Sequence, residues 1–222
     1  MGRALALLLL ATVAAAGTPP ARAADPLDLA RPFVRYFSDR EGLPQNAITA
    51  LAVDREGYLW AGTKDGPARY NGRGWRAVGF PAGTPSTYVR AILAGADGAL
   101  WFGTSGGTLR LKGGAWTYFG RESGLESLEV TCLVDAGAGL GLVAGTGSGL
   151  FRFEGERWAR VEGATSSGIQ CLAATELEPG VRALWAGTPN GLARLEGGQW
   201  RVFTTADGLG ANRTNSLLVT TA

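Results

Sequence analysis

Five residues, Leu59-Trp60-Ala61-Gly62-Thr63, return as Leu100-Trp101-Phe102-Gly103-Thr104, as Leu142-Val143-Ala144-Gly145-Thr146 and as Leu184-Trp185-Ala186-Gly187-Thr188. The successive offsets are 41, 42 and 42 residues. A second column, Trp75, Trp116, Trp158 and Trp200, follows the Trp/Val position of each unit by 15 residues. Together the two columns hold all seven tryptophans. Between them an arginine takes the third place of Pro67-Ala68-Arg69-Tyr70, Thr108-Leu109-Arg110-Leu111, Leu150-Phe151-Arg152-Phe153 and Leu192-Ala193-Arg194-Leu195. A fixed period of this length means one supersecondary unit used repeatedly, each burying its apolar face against the next.

Each unit divides into four short strands. Ile48 to Asp54 alternates small and larger apolar residues and ends in a turn, the pattern of a half-buried strand. The Leu-Trp-x-Gly-Thr stretch is the second strand, after the Glu56-Gly57 or Asp97-Gly98 hairpin turn. Turns ending in Gly66, Gly107, Gly149 and Gly191 lead to the arginine-bearing third strand. Asn71-Gly72, Lys112-Gly113, Glu154-Gly155 and Glu196-Gly197 lead to the fourth, which carries the second tryptophan. This is the period of a β-propeller blade. Helical solenoids are excluded, because no window after the first residues shows a helical period. A WD40 propeller wants Gly-His and Trp-Asp; the chain has no histidine, and no tryptophan is followed by Asp.

The expected fold is therefore all-β: a β-propeller of four complete four-stranded blades at residues 46–80, 87–120, 128–162 and 168–204. Pro32 to Phe37 aligns with the fourth-strand stretch Gln199 to Phe203, and residues 212–220 align with Asn46 to Asp54. The chain thus opens on a lone fourth strand at 32–37 and closes on a lone first strand at 212–220, the start of a truncated fifth blade. That arithmetic predicts an incomplete, open ring and a chain that stops early, with self-association through uncapped blade edges. The third unit has Val143 where its sisters have Trp, and a glycine-rich turn at 136–139, so looser packing is expected there.

These residues resemble the two-component regulator propeller repeat, which reads Gly-Leu-Pro-x-Asn, then Asp-x-x-Gly-x-Leu-Trp-x-Gly-Thr, then Gly-Leu-x-Arg-Tyr-x-Gly. The first unit matches at Gly42-Leu43-Pro44-Gln45-Asn46, Ile48, Leu51, Asp54, Gly57, Leu59 to Thr63, Gly66, Arg69-Tyr70 and Gly72. The resemblance implies a periplasmic sensor module of a bacterial signalling receptor. In such receptors a β-sandwich, a membrane helix and a cytoplasmic output domain follow, and none of these falls within the 222 residues. It also suggests a ligand that is a carbohydrate or another small polar molecule.

The first 23 residues read as a secretory leader. Arg3 gives the positive start, Ala4 to Ala16 the apolar run, and Ala21-Arg22-Ala23 the cleavage site, so the secreted form starts at Ala24. The run is too short for a bilayer span, which takes ~20 residues. A periplasmic or secreted location follows, with no membrane span in the mature domain at 24–222. The whole chain carries a net charge of +2, and losing Arg3 and Arg22 brings it to zero. No basic footprint for nucleic acid is left.

The zero histidine count excludes Ser-His-Asp and Cys-His catalysis and His-ligated zinc. Gly145-Thr146-Gly147-Ser148-Gly149 mimics a phosphate loop, but no helix follows it and the P-loop Lys-Ser/Thr is missing. The acids Asp54, Glu56, Asp97 and Asp135 sit in the turn between strands one and two without EF-hand spacing and read as turn formers. No metal or cofactor is expected. Cys132 and Cys171 align with Ala50 and Ala91 and read as small packing positions. A disulfide between neighbouring blades would need Cα atoms within ~7 Å, which such positions barely allow.

Ligand contacts are expected on the face carrying the two-to-three turns and the loops between blades. Gln45, Asn46, Tyr88, Arg90, Glu129 and Gln170 lie where strand one begins; Lys64, Asp65, Ser105, Ser148 and Asn190 lie in the two-to-three turns. These positions vary between units whose scaffold positions agree, as on a common frame with grafted specificity. The leading functional expectation is a non-enzymatic extracytoplasmic module for ligand sensing or interaction, the N-terminal fragment of a receptor. The alternatives are a secreted propeller lyase or glycosidase and a free-standing protein-binding scaffold. Similar lyases use histidine, and a glycosidase needs a carboxylate pair ~5–9 Å apart.

Overall fold

The computed structural model describes residues 34–137, 139–163, 168–178 and 181–220, without the side chains of residues 177, 178 and 181. The leader and its cleavage site lie outside these residues. Met1–Tyr36 and Phe37–Ala222 are separate compact units, and the second holds every strand of the described residues.

That unit contains four antiparallel four-stranded sheets, one per repeat, each in simple meander order. Blade 1 is β1 (Ile48–Val53), β2 (Leu59–Thr63), β3 (Gly66–Tyr70) and β4 (Trp75–Ala77). Blade 2 is β5 (Val89–Ala94), β6 (Leu100–Thr104), β7 (Gly107–Lys112) and β8 (Ala115–Phe119). Blade 3 is β9 (Val130–Asp135), β10 (Leu142–Thr146), β11 (Gly149–Phe153) and β12 (Trp158–Arg160). Blade 4 is β13 (Cys171–Glu178), β14 (Val181–Thr188), β15 (Gly191–Glu196) and β16 (Gln199–Phe203). Blade 4 has a longer first hairpin than its sisters, its ladder continuing to Glu178 opposite Val181.

The first strands pack side by side in chain order: β1 on β5, β5 on β9, β9 on β13. No comparable packing joins β13 to β1 among the described residues, so the series has two free ends. The fourth residue of the repeated pentapeptide makes these seams possible. A Cβ added at Gly62 would stand 2.6 Å from Val89, at Gly103 2.8 Å from Val130, and at Gly145 2.7 Å from Ile169. Each glycine is the slot into which the leading side chain of the next blade fits, and Val89, Val130 and Ile169 are fully buried there.

The tryptophans fill the layer above. Trp101 packs on Phe119 of its own blade and on Phe153 and Trp158 of blade 3, with ring centroids 4.6 to 6.0 Å apart. Trp60 meets Phe102 of blade 2 at 5.7 Å. Trp158 also donates its indole N–H across the seam to Thr108 Oγ1 at 3.1 Å. Burial of this size dominates the energetics of a small repeat unit.

Two expectations need correction. Blade 3 is not loosely packed. Val143 is fully buried, and Leu140, from the turn before β10, packs into the same cluster with Leu184 and Ala186 of blade 4. The missing indole is replaced by a side chain from that turn. The two end segments join no ladder: residues 34–37 and 212–220 carry no strand, and residues 32 and 33 lie outside the described residues. A ladder needs a neighbouring strand of the same blade, and they have none. They still dock in register. Phe37 sits edge-on to Tyr70 at 5.3 Å, as Phe119 sits to Phe153 at 5.0 Å. Thr214 donates its N–H to Thr188 O at 3.0 Å, as Ile169 does to Thr146 O at 2.9 Å, and it presses on Gly187 as Ile169 presses on Gly145.

Candidate functional site

The last residue of the pentapeptide shapes one whole face. Thr63, Thr104, Thr146 and Thr188 are buried, and each donates its hydroxyl to the carbonyl of the glycine three residues on, at 2.8 to 3.0 Å. Each also accepts from the backbone N–H two residues ahead. The glycine closing each turn has φ between 114° and 150°, a region closed to ordinary side chains. Four identical, rigid turns result, and their tip residues are free to differ.

The loops that lead into each first strand are tied to these turns. Thr87 donates to Lys64 O at 3.1 Å, Ser105 N to Tyr88 O at 3.1 Å, Gly147 N to Glu129 O at 3.2 Å and Gln170 N to Gly187 O at 2.8 Å. Turns and strand entrances therefore share one face, as the strand order requires.

On that face four of the expected residues form a line across three blades. Lys64 Nζ of blade 1 lies 5.8 Å from the Tyr88 ring, and the Arg90 guanidinium lies 5.5 Å from the same ring. Arg90 then bridges to Glu129, at the entrance of blade 3, at 2.7 Å. A cation over an aromatic face is attracted by the ring quadrupole, so the Tyr88 ring attracts both positive charges. The geometry has a simple cause. Thr49 and Thr131, at the second position of their strands, donate to the carbonyls of Val89 and Ile169 in the next blade, at 2.5 and 2.6 Å. Blade 2 has Arg90 at that position and reaches blade 3 with a charge instead.

The other expected residues are placed differently. Asn46 accepts from Asp39 N at 2.7 Å and Asn212 from Thr205 N at 2.8 Å, the same loop-closing bond in two units. Gln45 accepts from Ala47 N at 2.7 Å. Ser148 lies beside Thr146, and its carbonyl accepts from Arg160 Nη1, while Nε and Nη2 of the same guanidinium pair with Glu126. Asp65, Ser105 and Asn190 stand at turn tips, and Gln170 sits half-buried at the entrance of blade 4. The structure brings Lys64, Tyr88, Arg90 and Glu129 together and leaves the rest spread along the face. The clasp of Arg160 on Glu126 was not foreseen, since the partners lie 34 residues apart.

The opposite end of the strands is built from the acids in the one-to-two turns. Asp54 accepts from Glu56 N, Tyr58 N and the Trp60 indole at 2.8 to 3.0 Å, which occupies both its oxygens. Asp97 accepts from Ala99 N and from Lys112 at 2.6 Å, and the lysine holds its carboxyl below the usual range. Asp135 accepts from Gly137 N. Cys132 and Cys171 are free thiols under Gly145 and Gly187. Burial pushes the Cys132 thiol up to about 12 and raises Cys171 as well, so neither is poised as a nucleophile.

The arginine column now has an explanation. Arg69, Arg110 and Arg194 lie directly across the ladder from Trp60, Trp101 and Trp185 and hold their guanidiniums 5.4 to 5.9 Å from those indoles. In blade 3 the residue across the ladder is Val143, and Arg152 pairs with Glu154 at 2.6 Å instead.

Residues 42–65 and 83–106 match the family model of the two component regulator propeller. These are the first two pentapeptides with their leading strands and turns. Two of the four repeats thus match the two component regulator propeller model. No curated protein matches it. Among solved structures, the chain is similar to the extracellular domain of the hybrid two component system BT3049 of B. thetaiotaomicron, with 19% identity and a TM-score of 0.63 over 77% of this chain. It is also similar to the extracellular domain named for the one component system BT4673 of the same organism, with 20% identity and a TM-score of 0.65 over 77% of this chain. PorZ, a surface component of the type-IX secretion system of Porphyromonas gingivalis, aligns over 82% of this chain and 31% of its own, with 13% identity and a TM-score of 0.61. These likenesses establish the propeller fold. The chain spans about a quarter of the two B. thetaiotaomicron domains, 26% and 24%. No helix among the described residues is long and apolar enough to cross a membrane.

Proposed function

We propose that this chain is an extracytoplasmic recognition module, not an enzyme, of the kind that signalling receptors use to sense a small polar ligand or a carbohydrate. The observation that carries it is the line Lys64, Tyr88, Arg90 and Glu129, laid across three blades over three of the four identical turns. A tyrosine ring flanked by two cations and a carboxylate offers one stacking surface and several charge-assisted hydrogen bonds. The extracellular domains similar in fold support the location, together with a leader cleaved after Ala23. The N-terminal sequence of exported protein should begin at Ala24.

The binding test is a thermal-shift screen of the chain against soluble oligosaccharides and small polar metabolites, repeated with Tyr88→Ala and Arg90→Ala. A hit should lose about tenfold or more in affinity in either variant, the effect of removing an anchor worth over ~1 kcal/mol. Hits that ignore both substitutions would overturn this assignment. The free ends bear on the same sample. Leu51 and Val53 on blade 1 and Leu218 in the last segment are 61%, 58% and 86% exposed. Unsatisfied apolar faces of this kind favour self-association, which light scattering would show as a mass rising with concentration. A constant monomer mass would contradict it.

A further inference from the structure

At the end of the strands opposite the Tyr88 face, a cleft of about 840 Å³ opens between blades 1 and 2. Trp60, Leu100 and Leu111 line it together with three arginines, Arg55, Arg69 and Arg76. The corresponding clefts are smaller, about 350 Å³ between blades 2 and 3 and about 210 Å³ between blades 3 and 4. The smaller two are filled from different places. Leu111 stands where blade 3 has Phe153, and the Phe153 ring closes the second cleft, on Trp101 at 4.6 Å. The third, which like the first has a leucine (Leu195) at this repeat position, is lined also by Leu140.

The charge pattern is more telling. Arg69 and Arg76 are direct partners across the β3–β4 ladder, where like charges repel. Blade 4 has the same pair, Arg194 opposite Arg201, and supplies each with an acid: Glu196 at 2.7 Å and Asp207 at 3.9 Å. Blade 3 pairs its Arg152 with Glu154. In blade 1 the position two residues after Arg69 is Asn71. Among the described residues none of Arg55, Arg69 and Arg76 is in an ion pair. Asp54, one of the two acids lining the cleft, is spent on its turn and on the Trp60 indole, and Glu56 is exposed to solvent. Arg69 is braced 4.5 Å from the Tyr58 ring, and Arg55 lies against the Gly98 turn of blade 2. The second cleft, by contrast, sets Asp97 and Asp135 beside its single Arg110.

We propose that the cleft between blades 1 and 2 is a binding site for an oxyanion, the carboxylate, phosphate or sulfate group of a ligand, held by Arg69 and Arg76 with Arg55 closing from the rim. Guanidiniums present paired N–H donors that match the oxygens of such groups. The partly apolar floor of Trp60, Leu100 and Leu111 would carry the body of the ligand. This site is separate from the Tyr88 face and stands whether or not that face binds.

The test is an NMR titration of the arginine Nε–Hε signals of the full chain with inorganic phosphate, sulfate and acetate in separate arms at constant ionic strength. Saturable shifts of Arg69 and Arg76 in at least one arm are expected, and the responding arm identifies the oxyanion. Arg76→Gln, at an exposed position that folding tolerates, should weaken that binding by about tenfold or more. Arg152→Gln, in blade 3, should leave it unchanged. Shifts that grow without saturation in all arginines alike, or binding untouched by Arg76→Gln, would overturn the proposal.

Discussion

Blades 1 and 4 carry the same tryptophan, the same arginine beneath it and the same arginine across the ladder, yet they treat that charge in opposite ways. Blade 4 neutralises it within the blade, through Glu196 and Asp207. Blade 1 has Asn71 in place of the acid and leaves two guanidiniums facing a cleft that Leu111 does not fill. The repeat therefore does two jobs at different positions. Glycine slots, indoles and buried threonines hold the blades together wherever they recur. Departures from the pattern, Asn71 at one end of the strands and Lys64, Tyr88 and Arg90 at the other, create surface chemistry that the remaining blades lack.

The largest effect should come from breaking what the blades share. Trp101→Ala removes an indole in contact with Phe119, Phe153 and Trp158, and should cost about 3–5 kcal/mol in denaturant unfolding. Trp185, half-buried and stacked on Phe203 alone among the aromatic rings, should cost less. Equal losses would mean that seam contacts add nothing beyond burial within a blade.

A smaller change tests the first cleft. Leu111→Phe copies blade 3 into blade 2 and should stabilise the chain by up to about 1 kcal/mol, as cavity filling commonly does, while hindering entry to the arginines. Destabilisation would show that the cleft cannot accept a ring and that Leu111 is not what keeps it open.

The smallest effect concerns the second cleft, where acids and bases balance. Lys112 lowers the folded-state pKa of Asp97, so this pair contributes stability above the usual carboxylate range and loses it as pH falls through the folded value. Below about pH 4 the melting temperature of the parent should therefore fall towards that of Asp97→Asn. A constant gap between the two at all pH values would show that the ion pair is not the source. The effect is modest because both side chains are half exposed.

How much of this was legible beforehand follows from distance along the chain. The glycine and tryptophan columns are periodic, so their structural role could be read directly, and the buried Val89, Val130 and Ile169 follow from it. The arginine column was visible but mute, because its stacking on Trp60, Trp101 and Trp185 depends on the register between second and third strands. The pairing of Arg69 with Arg76 was invisible for the same reason: seven residues of sequence separate them, and a hairpin brings them face to face. Blade 3 was misjudged because Leu140, which repairs the loss of an indole at Val143, comes from a one-to-two turn that is one residue longer than those of blades 1 and 2 and so falls outside the periodic columns. The residues of the Tyr88 face could be placed on one surface by strand order alone. That four of them align needed the packing of three blades.

Restoring the repeat at one position probes the division between scaffold and departures most directly. Asn71→Glu gives blade 1 the acid that blades 3 and 4 already have, at an exposed turn; it removes the two bonds that Asn71 Oδ1 accepts from Arg73 N and Gly74 N at 3.0 Å, a loss that Asn71→Gln shares and so controls for. Arginine side-chain NMR should then show Arg69 engaged by the new carboxylate and its response to phosphate, sulfate and acetate abolished, while Asn71→Gln behaves as the parent. An unchanged oxyanion response in Asn71→Glu would contradict the claim that the missing acid is what leaves this cleft open to a ligand.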